Sequence, residues 1–367
     1  MSRVKKNLLF WIGPFALASL VGIVTPADAQ TKAGAAKPAA SKPATASKPA
    51  VKKSTSYSAA RSRNRRARLA RARAAALARA LAEAVPRYKT DTSGAVVPDL
   101  HAEAAIIYDP ETNEVLWEQN SQEPRSIASI TKVMTATVFL EDNPDLTQPV
   151  TIVRSDVFRA STTHLRAKDK VTADDLLHLL LISSDNAAAR ALARISKYGS
   201  AGFVDRMNAK AFELGLESTS YADTSGLLST NVSSAFDMAR LITLASNDER
   251  IGSIMRTPEY TVRTTSARPR TITFRSTNHL LGRPGVDVRA GKTGFISKAG
   301  YCLATFLRLP QGGPQVAVVV LGARSNAGRF LETRNLFDWL STKTSAIFGA
   351  ASSPASPAVA VPQAQIQ

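Results

Sequence analysis

Three short residue clusters in this chain have the side chains and spacing for nucleophilic chemistry on a peptide bond. The first is Ser129-Ile130-Thr131-Lys132. A serine hydroxyl is a poor nucleophile without an adjacent base. Ser and Lys three apart share one face of a helix, so the amine can reach the hydroxyl. A lysine can act as that base where burial or a second cation lowers its pKa. The same spacing recurs at Ser2 and Lys5, so the pattern alone is weak. The second cluster is Ser184-Asp185-Asn186. A serine there can relay a proton to a leaving amine, and an asparagine can hold a substrate amide through both donor and acceptor. Ser183 lies beside it but lacks the Ser-x-Asn spacing. The third is Lys292-Thr293-Gly294, directly after a strand candidate. The lysine offers a charge and the threonine a hydroxyl to a substrate carboxylate, and the glycine lets substrate approach the backbone closely. Taken singly, the second and third also read as an ordinary loop and a lysine in a turn.

The elements that must position these residues follow from hydrophobic period and turn signals. Ala104–Tyr108 and Glu114–Trp117 flank Asp109–Asn113 and predict a hairpin. A mainly helical middle is expected over residues 126–250. Within it, Leu176, Leu177, Leu180 and Leu181 lie at helical spacing, and the run breaks at Ser183–Asn186. Ser234-Ala-Phe-Asp237 reads as a capped helix start, which makes Asp237 structural. Strands are predicted at Val286–Ala290, Tyr301–Leu307 and Gln315–Leu321, and an amphipathic helix at Arg329–Ile347. Strands at both ends with helices between predict an α/β (α+β) domain over residues 99–348. One antiparallel sheet, flanked by helices, would come from the two ends of the domain, with an all-helical subdomain inserted.

Charge is distributed unevenly. The chain of 367 residues carries a net +18, yet residues 31–89 hold sixteen Lys and Arg against one acid, Glu83. Residues 90–367 are left with a net +1, so the basic character belongs to an arm. Residues 1–29 read as a signal peptide: a basic start, an apolar run from Asn7 to Val24, and Ala27-Asp28-Ala29 before a cleavage point. The other reading is an uncleaved anchor, because the run is nearly long enough to span a bilayer. Residues 30–98 are expected to be a disordered Ala/Lys/Pro linker followed by an Arg/Ala-rich arm, and residues 349–367 a disordered tail. The arm is either a solvated basic helix or a tether to anionic wall polymer or lipid, and export argues against nucleic acid. Cys302 is the one cysteine, so no intrachain disulfide can form, and its apolar neighbours make it a packed strand residue. No cofactor is implied, and no metal motif of the His-Glu-x-x-His kind appears.

In this order the three clusters resemble the S-x-x-K, S-x-N and K-T-G motifs of the penicillin-interacting serine enzymes. Within that group, Arg125–Thr135 is similar to the nucleophile helix of the low-molecular-mass penicillin-binding proteins, the D-alanyl-D-alanine carboxypeptidases and endopeptidases. Asp223-Thr-Ser-Gly-Leu227, Asn231-Val-Ser-Ser234, Ser276-Thr-Asn-His-Leu280, Lys292–Phe295 and Ala299–Cys302 extend the likeness, which looks nearest to the endopeptidase branch. The resemblance covers about residues 99–348 and implies a β-lactamase/transpeptidase-like fold. It further implies that Ser129 attacks a D-alanyl carbonyl of a peptidoglycan stem peptide and that Lys132 takes its proton. Ser184 and Lys292 would pass a proton to the leaving group, Asn186 would orient substrate, and Thr293 would bind its carboxylate. Backbone N–H groups of Ser129 and Phe295 would form the oxyanion hole beside Gly294. β-Lactams would acylate the same serine. The best-known carboxypeptidases of this kind carry a second, β-rich domain and a C-terminal amphipathic membrane helix, neither of which is expected after Ile347.

Three other readings fit the sequence less well. A class A β-lactamase needs a deacylating glutamate. No Glu-x-x-Leu-Asn pattern lies between Asn186 and Lys292, and Glu213 and Glu217 read as a helix end. A Ser-His-Asp hydrolase is poorly supported, because no Gly-x-Ser-x-Gly elbow accompanies His101, His164, His178 or His279. A non-catalytic wall-binding protein working through its arm would have no need of Ser129 and Lys132 together.

Overall fold

The computed structural model describes residues 62, 64–75, 78 and 85–351. The expected leader (1–29), most of the linker and arm, and the tail from residue 352 lie outside the described residues. Residues 64–75 form a helix, α1, exposed along its whole length. Two three-residue strands, β1 (Tyr88–Thr90) and β2 (Val96–Pro98), then pair antiparallel. This hairpin precedes residue 99, where the domain was expected to begin. Its strands are short and mostly exposed, so they carry no alternating signal.

In chain order the next elements are β3 (Ala104–Asp109), β4 (Glu114–Gln119), β5 (Arg125–Ser126), the 3-10 turn Ala128–Ile130 and α2 (Thr131–Leu140). They are followed by β6 (Pro149–Thr151), α3 (Arg154–Val157), β7 (Lys170–Thr172), α4 (Ala173–Ile182), α5 (Asn186–Ile195) and α6 (Gly199–Glu213). The chain continues through β8 (Val232–Ser233), α7 (Ala235–Asn247), α8 (Glu249–Arg256), β9 (Glu259–Arg263) and β10 (Thr271–Arg275). It closes with β11 (Asp287–Ile296), β12 (Gly300–Arg308), β13 (Gln315–Ala323) and α9 (Asn326–Ala351).

The central sheet has five antiparallel strands in the order β11-β12-β13-β3-β4. The two ends of the domain therefore meet in one sheet, and the helices from α2 to α8 fall between. Both faces of β13 are buried, which is why it reads as an unbroken apolar run. Ala317, Val319 and Leu321 face the helical side together with Ala104, Ile106 and Met134. Val316, Val318 and Val320 face α9, against Leu336, Phe337, Trp339 and Leu340. Each such side chain contributes about 1.5–3 kcal/mol on burial. The same helix anchors the early hairpin: Asn335 Nδ2 donates to Arg87 O at 3.4 Å and Trp339 Nε1 to Val96 O at 3.1 Å.

Side-chain caps fix several helix ends, among them the expected start of α7 at Ser234. Thr172 and Asp175 form a reciprocal capping box on α4, each bond 3.0 Å. Asp185 caps α5 by accepting from Ala188 N at 3.0 Å, and Ser234 caps α7 by accepting from Asp237 N at 3.0 Å. Asp237 itself accepts from Ser218 N and Thr219 Oγ1, a structural duty. Cys302 is buried in β12, where burial pushes its thiol up to about 11. One expectation is corrected. Lys292-Thr293-Gly294 does not follow a strand but lies inside β11, whose pairing with β12 runs through Ile296. The polar motif interrupts the apolar pattern, yet the backbone ladder continues beneath it.

Candidate active site

The geometry starts at the turn that carries Ser129. Ala128 holds φ +48°, a left-handed conformation rare for a residue with a side chain. This sharp entry leaves Ser129 half-buried at the head of α2. Two glycines let other segments press against the turn. A methyl group at Gly294 would sit 2.6 Å from Ile127 O and 3.2 Å from Ser129 N. One at Gly226 would overlap the Ala128 carbonyl and lie 2.9 Å from Ser129 N. Gly294 thus brings β11 against the serine from one direction, and Gly226 brings the 223–231 loop from another. Close backbone approach is the use of glycine at both positions.

Lys132 lies one turn along α2 and is fully buried. Its Nζ donates to Ser129 Oγ at 2.9 Å, to Asn186 Oδ1 at 2.7 Å and to Ser225 O at 2.5 Å. Burial lowers its pKa from 10.5 to about 7, against the opposing pull of Asp185 and Asp223 and with help from Arg190. At neutral pH the amine is therefore unprotonated in a large share of molecules, and its lone pair is available to the serine. Ser129 Oγ also lies 3.4 Å from Ser225 O.

Asn186 begins α5 and is almost fully buried. Its Oδ1 accepts from Lys132, while its Nδ2 donates to Ala160 O at 2.6 Å and Ser161 Oγ at 3.2 Å. The amide was expected to face substrate; here both of its ends are engaged within the protein, and it holds the lysine. Ser184 lies in the break between α4 and α5 with φ +63°. It is half-buried and forms no hydrogen bond to Ser129 or Lys132 among the described residues. Asp185 turns inward and accepts from His164 N at 2.6 Å, and burial raises its pKa.

The β11 motif forms the opposite wall. Lys292 is buried and donates to Thr293 O at 3.0 Å. Burial first, then the charges of Lys132 and Arg329, hold its amine well below the ordinary lysine range. Two buried amines so close disfavour each other's charged form. Thr293 Oγ1 lies 2.6 Å from Thr277 Oγ1, and Thr277 N donates to Ile182 O at 3.1 Å, just before Ser183. Phe295 is half-exposed and stacks on Tyr301, with ring centroids 4.2 Å apart.

Several contributors lie outside the three motifs, some of them within the family-like Asp223–Leu227 segment. The Ser225 carbonyl is a backbone group. Asp223 gathers Ser225 N, Gly226 N, Leu228 N and Asn231 Nδ2, and so fixes the loop that presents that carbonyl. Burial would raise the Asp223 pKa, but these donors outweigh it and lower the value. Arg329 of α9 donates to Gly294 O at 2.9 Å and Cys302 O at 3.1 Å, bracing β11 from behind. Burial lowers its pKa to about 10. Glu213 ends α6 and pairs with Arg206, away from Lys132. His178 stacks on Tyr260 and His279 on Phe330, so both rings pack. Among the described residues no cluster of His, Cys, Asp and Glu could hold a metal ion.

This constellation has relatives. A family model for D-alanyl-D-alanine carboxypeptidase matches residues 91–325. A D-alanyl-D-alanine endopeptidase of Pseudomonas aeruginosa is 35% identical over 247 residues, 66% of this chain and 78% of its own length. One from Escherichia coli is 34% identical, over 67% of this chain and 79% of its own length. The crystal structure of a Streptomyces DD-transpeptidase superposes with a TM-score of 0.61 at 30% identity, covering 66% of this chain and 97% of that one. The expected α/β fold with its antiparallel sheet is the fold of these enzymes. With the family model spanning more than half its length, the chain belongs to the D-alanyl-D-alanine carboxypeptidase family of serine hydrolases.

Proposed function

We propose that this protein cuts D-alanyl peptide bonds of peptidoglycan stem peptides through an acyl-enzyme on Ser129, and that cross-links are its targets. The observation that carries the reading is the buried Lys132 amine, 2.9 Å from Ser129 Oγ with a pKa near 7. Ser129 Oγ attacks the carbonyl of the D-alanyl residue while its proton passes to Lys132. The carbonyl oxygen takes up charge between the N–H groups of Ser129 and Phe295, where each donor is worth about 3–4 kcal/mol. The contact of Gly294 with the Ser129 turn supports that pairing. The proton then reaches the leaving amine from Lys132, with Ser184 and Lys292 in the relay. Thr293, steadied by Thr277, receives the carboxylate of the substrate. Asn186 acts mainly by aiming Lys132. Water releases the acyl group, and a β-lactam that acylates Ser129 leaves slowly.

The endopeptidase preference is supported by the named endopeptidases, which this chain matches over more than three quarters of their length. Two muropeptides test it: a pentapeptide monomer and a D-Ala-linked dimer, each followed by mass spectrometry. The dimer is expected to split. A dimer that survives while the pentapeptide loses its terminal D-Ala makes the protein a carboxypeptidase.

The reading includes export to the periplasm or wall, supported by the leader-like residues 1–29. No helix among the described residues is long and apolar enough to cross a membrane. The Arg-rich arm serves as a tether to anionic wall polymer or lipid, as its concentrated charge suggests. Full-length protein is expected to bind isolated wall sacculi at low salt and leave at high salt. Protein lacking residues 30–89 should bind at neither, and retention without the arm would refute the tether.

A further inference from the structure

Three arginines outside the Ser129, Ser184 and Lys292 motifs line one open hollow. Arg154, Ser155, Phe158, Arg159 and Arg190 line a space of about 570 Å³ at the outer side of α3 and α5. Phe158 is 58% exposed, and the Arg159 guanidinium lies 5.2 Å over its ring. Arg190 is fixed by donating to Phe158 O at 2.7 Å and Asp156 O at 3.3 Å. The carboxylate of Asp156 is committed to Arg194 at 2.8 Å. None of the three arginines has an ion pair among the described residues, so the hollow is lined by three positive charges and no carboxylate. The domain does not force this arrangement, because residues 90–367 carry a net of only +1.

The hollow is linked to the site through α5 and through the segment that follows Arg159. Arg190 lies one turn beyond Asn186 on α5, and Asn186 holds Lys132. Asn186 N donates to Thr162 O at 3.0 Å, and its side-chain Nδ2 donates to Ala160 O at 2.6 Å. The stretch from Arg159 to Thr162 is therefore tied to the residue that positions the base. Arg190 lines a second hollow of about 390 Å³ on its other side, together with Ser225 and Leu228. That hollow belongs to the loop whose Ser225 carbonyl meets Lys132.

We infer that this hollow is a substrate subsite in which Arg154 and Arg159 receive free carboxylates of the peptide strand, away from the bond being cut, with Phe158 against the strand's apolar part. The inference rests on the peptidase reading above. Stem peptides bear free carboxylates, and the planar guanidinium matches a carboxylate with two parallel hydrogen bonds. The side chains of Arg154 and Arg159 are exposed and have no hydrogen bond or ion pair among the described residues, so both guanidinium groups remain available to a ligand.

The test compares two D-alanyl peptides on the full chain, one with its distal carboxylates free and one with them amidated. Wild-type protein is expected to favour the free form in kcat/KM by about tenfold at low salt, the product of two partly exposed charge pairs. The preference should shrink as salt is added. Arg154→Ala/Arg159→Ala should bring the ratio to about one, and Arg154→Glu/Arg159→Glu should reverse it. A wild-type ratio near one, or an equal fall on both peptides in the variants, overturns the inference. So does an unchanged ratio in variants that have lost binding to anionic lipid vesicles, which would make the hollow a membrane contact. Benzylpenicillin separates the two levels: a covalent adduct with no carboxylate preference sinks the subsite alone. No adduct and no cleavage of either peptide sinks the peptidase reading and the subsite with it.

Discussion

Ser129→Ala and Lys132→Arg are each expected to slow acylation by benzylpenicillin by about 10⁴-fold or more, the scale seen when a nucleophile or its base is removed. The arginine variant is the sharper test. It keeps a cation at the position, so any role Lys132 has as a fixed positive charge survives. Arginine cannot give up its proton in a protein, so a role as base does not survive. Combining the two substitutions should cost no more than either alone, because they disable one step. The pH profile adds a sign. Burial places the Lys132 pKa at about 7, below its ordinary 10.5. The neutral amine predominates above that value, so wild-type acylation should rise with pH through about 7 and level off beyond it. A profile that falls with rising pH over this range, or a Lys132→Arg protein that acylates within tenfold of wild type, would show that Lys132 is not the base.

How much of this could be read beforehand depended on whether a residue acts through its side chain and its near neighbours. Ser129 and Lys132 are three apart on one helix, so their meeting is local geometry, and their types state the chemistry. The sheet was legible for a similar reason: β3, β4, β12 and β13 are apolar on at least one face, and the hairpin turn at Asp109–Asn113 carries its own signal. The bounds of β11 were not, because Lys292, Thr293 and Gly294 look like a turn, and only the ladder with β12 makes them a strand. The β1–β2 hairpin was missed because what holds it, Asn335 and Trp339, lies more than 200 residues away. Ser225 contributes a carbonyl, which every residue has; the segment Asp223–Leu227 stands out by likeness, but its contact with Lys132 does not. Arg329 reads as the start of an amphipathic helix; its burial against Gly294 O appears only once α9 is laid on the sheet. Asn186 stands out by its spacing, but its bond to Lys132 does not. Spacing brings a residue to a site without saying whether its amide faces substrate or the lysine.

Gly226→Ala is expected to lower stability by about 2–4 kcal/mol and acylation by at least a hundredfold, through a clash rather than through any lost side chain. Gly226 has φ +77°, which an L-residue adopts at a cost of about 1–2 kcal/mol. The added methyl would also overlap the Ala128 carbonyl and reach 2.9 Å from Ser129 N. Something must move, and each choice damages the site. If the 223–231 loop withdraws, Ser225 O leaves Lys132, and the bonds that Asp223 makes to Ser225, Gly226, Leu228 and Asn231 are strained. If the turn withdraws instead, Ser129 shifts relative to Lys132 and to Gly294 on β11. Gly282→Ala supplies the control, since Gly282 has a similar φ of +72° but nothing within 4 Å of an added methyl. That variant should lose only the backbone cost, about 1–2 kcal/mol, and keep the wild-type acylation rate. Thermal unfolding and the benzylpenicillin acylation rate, measured on both proteins, separate conformational strain from the clash. If Gly226→Ala folds and acylates like Gly282→Ala, the loop is not what holds Ser129 in place, and the positive-φ turn at Ala128 must do so alone.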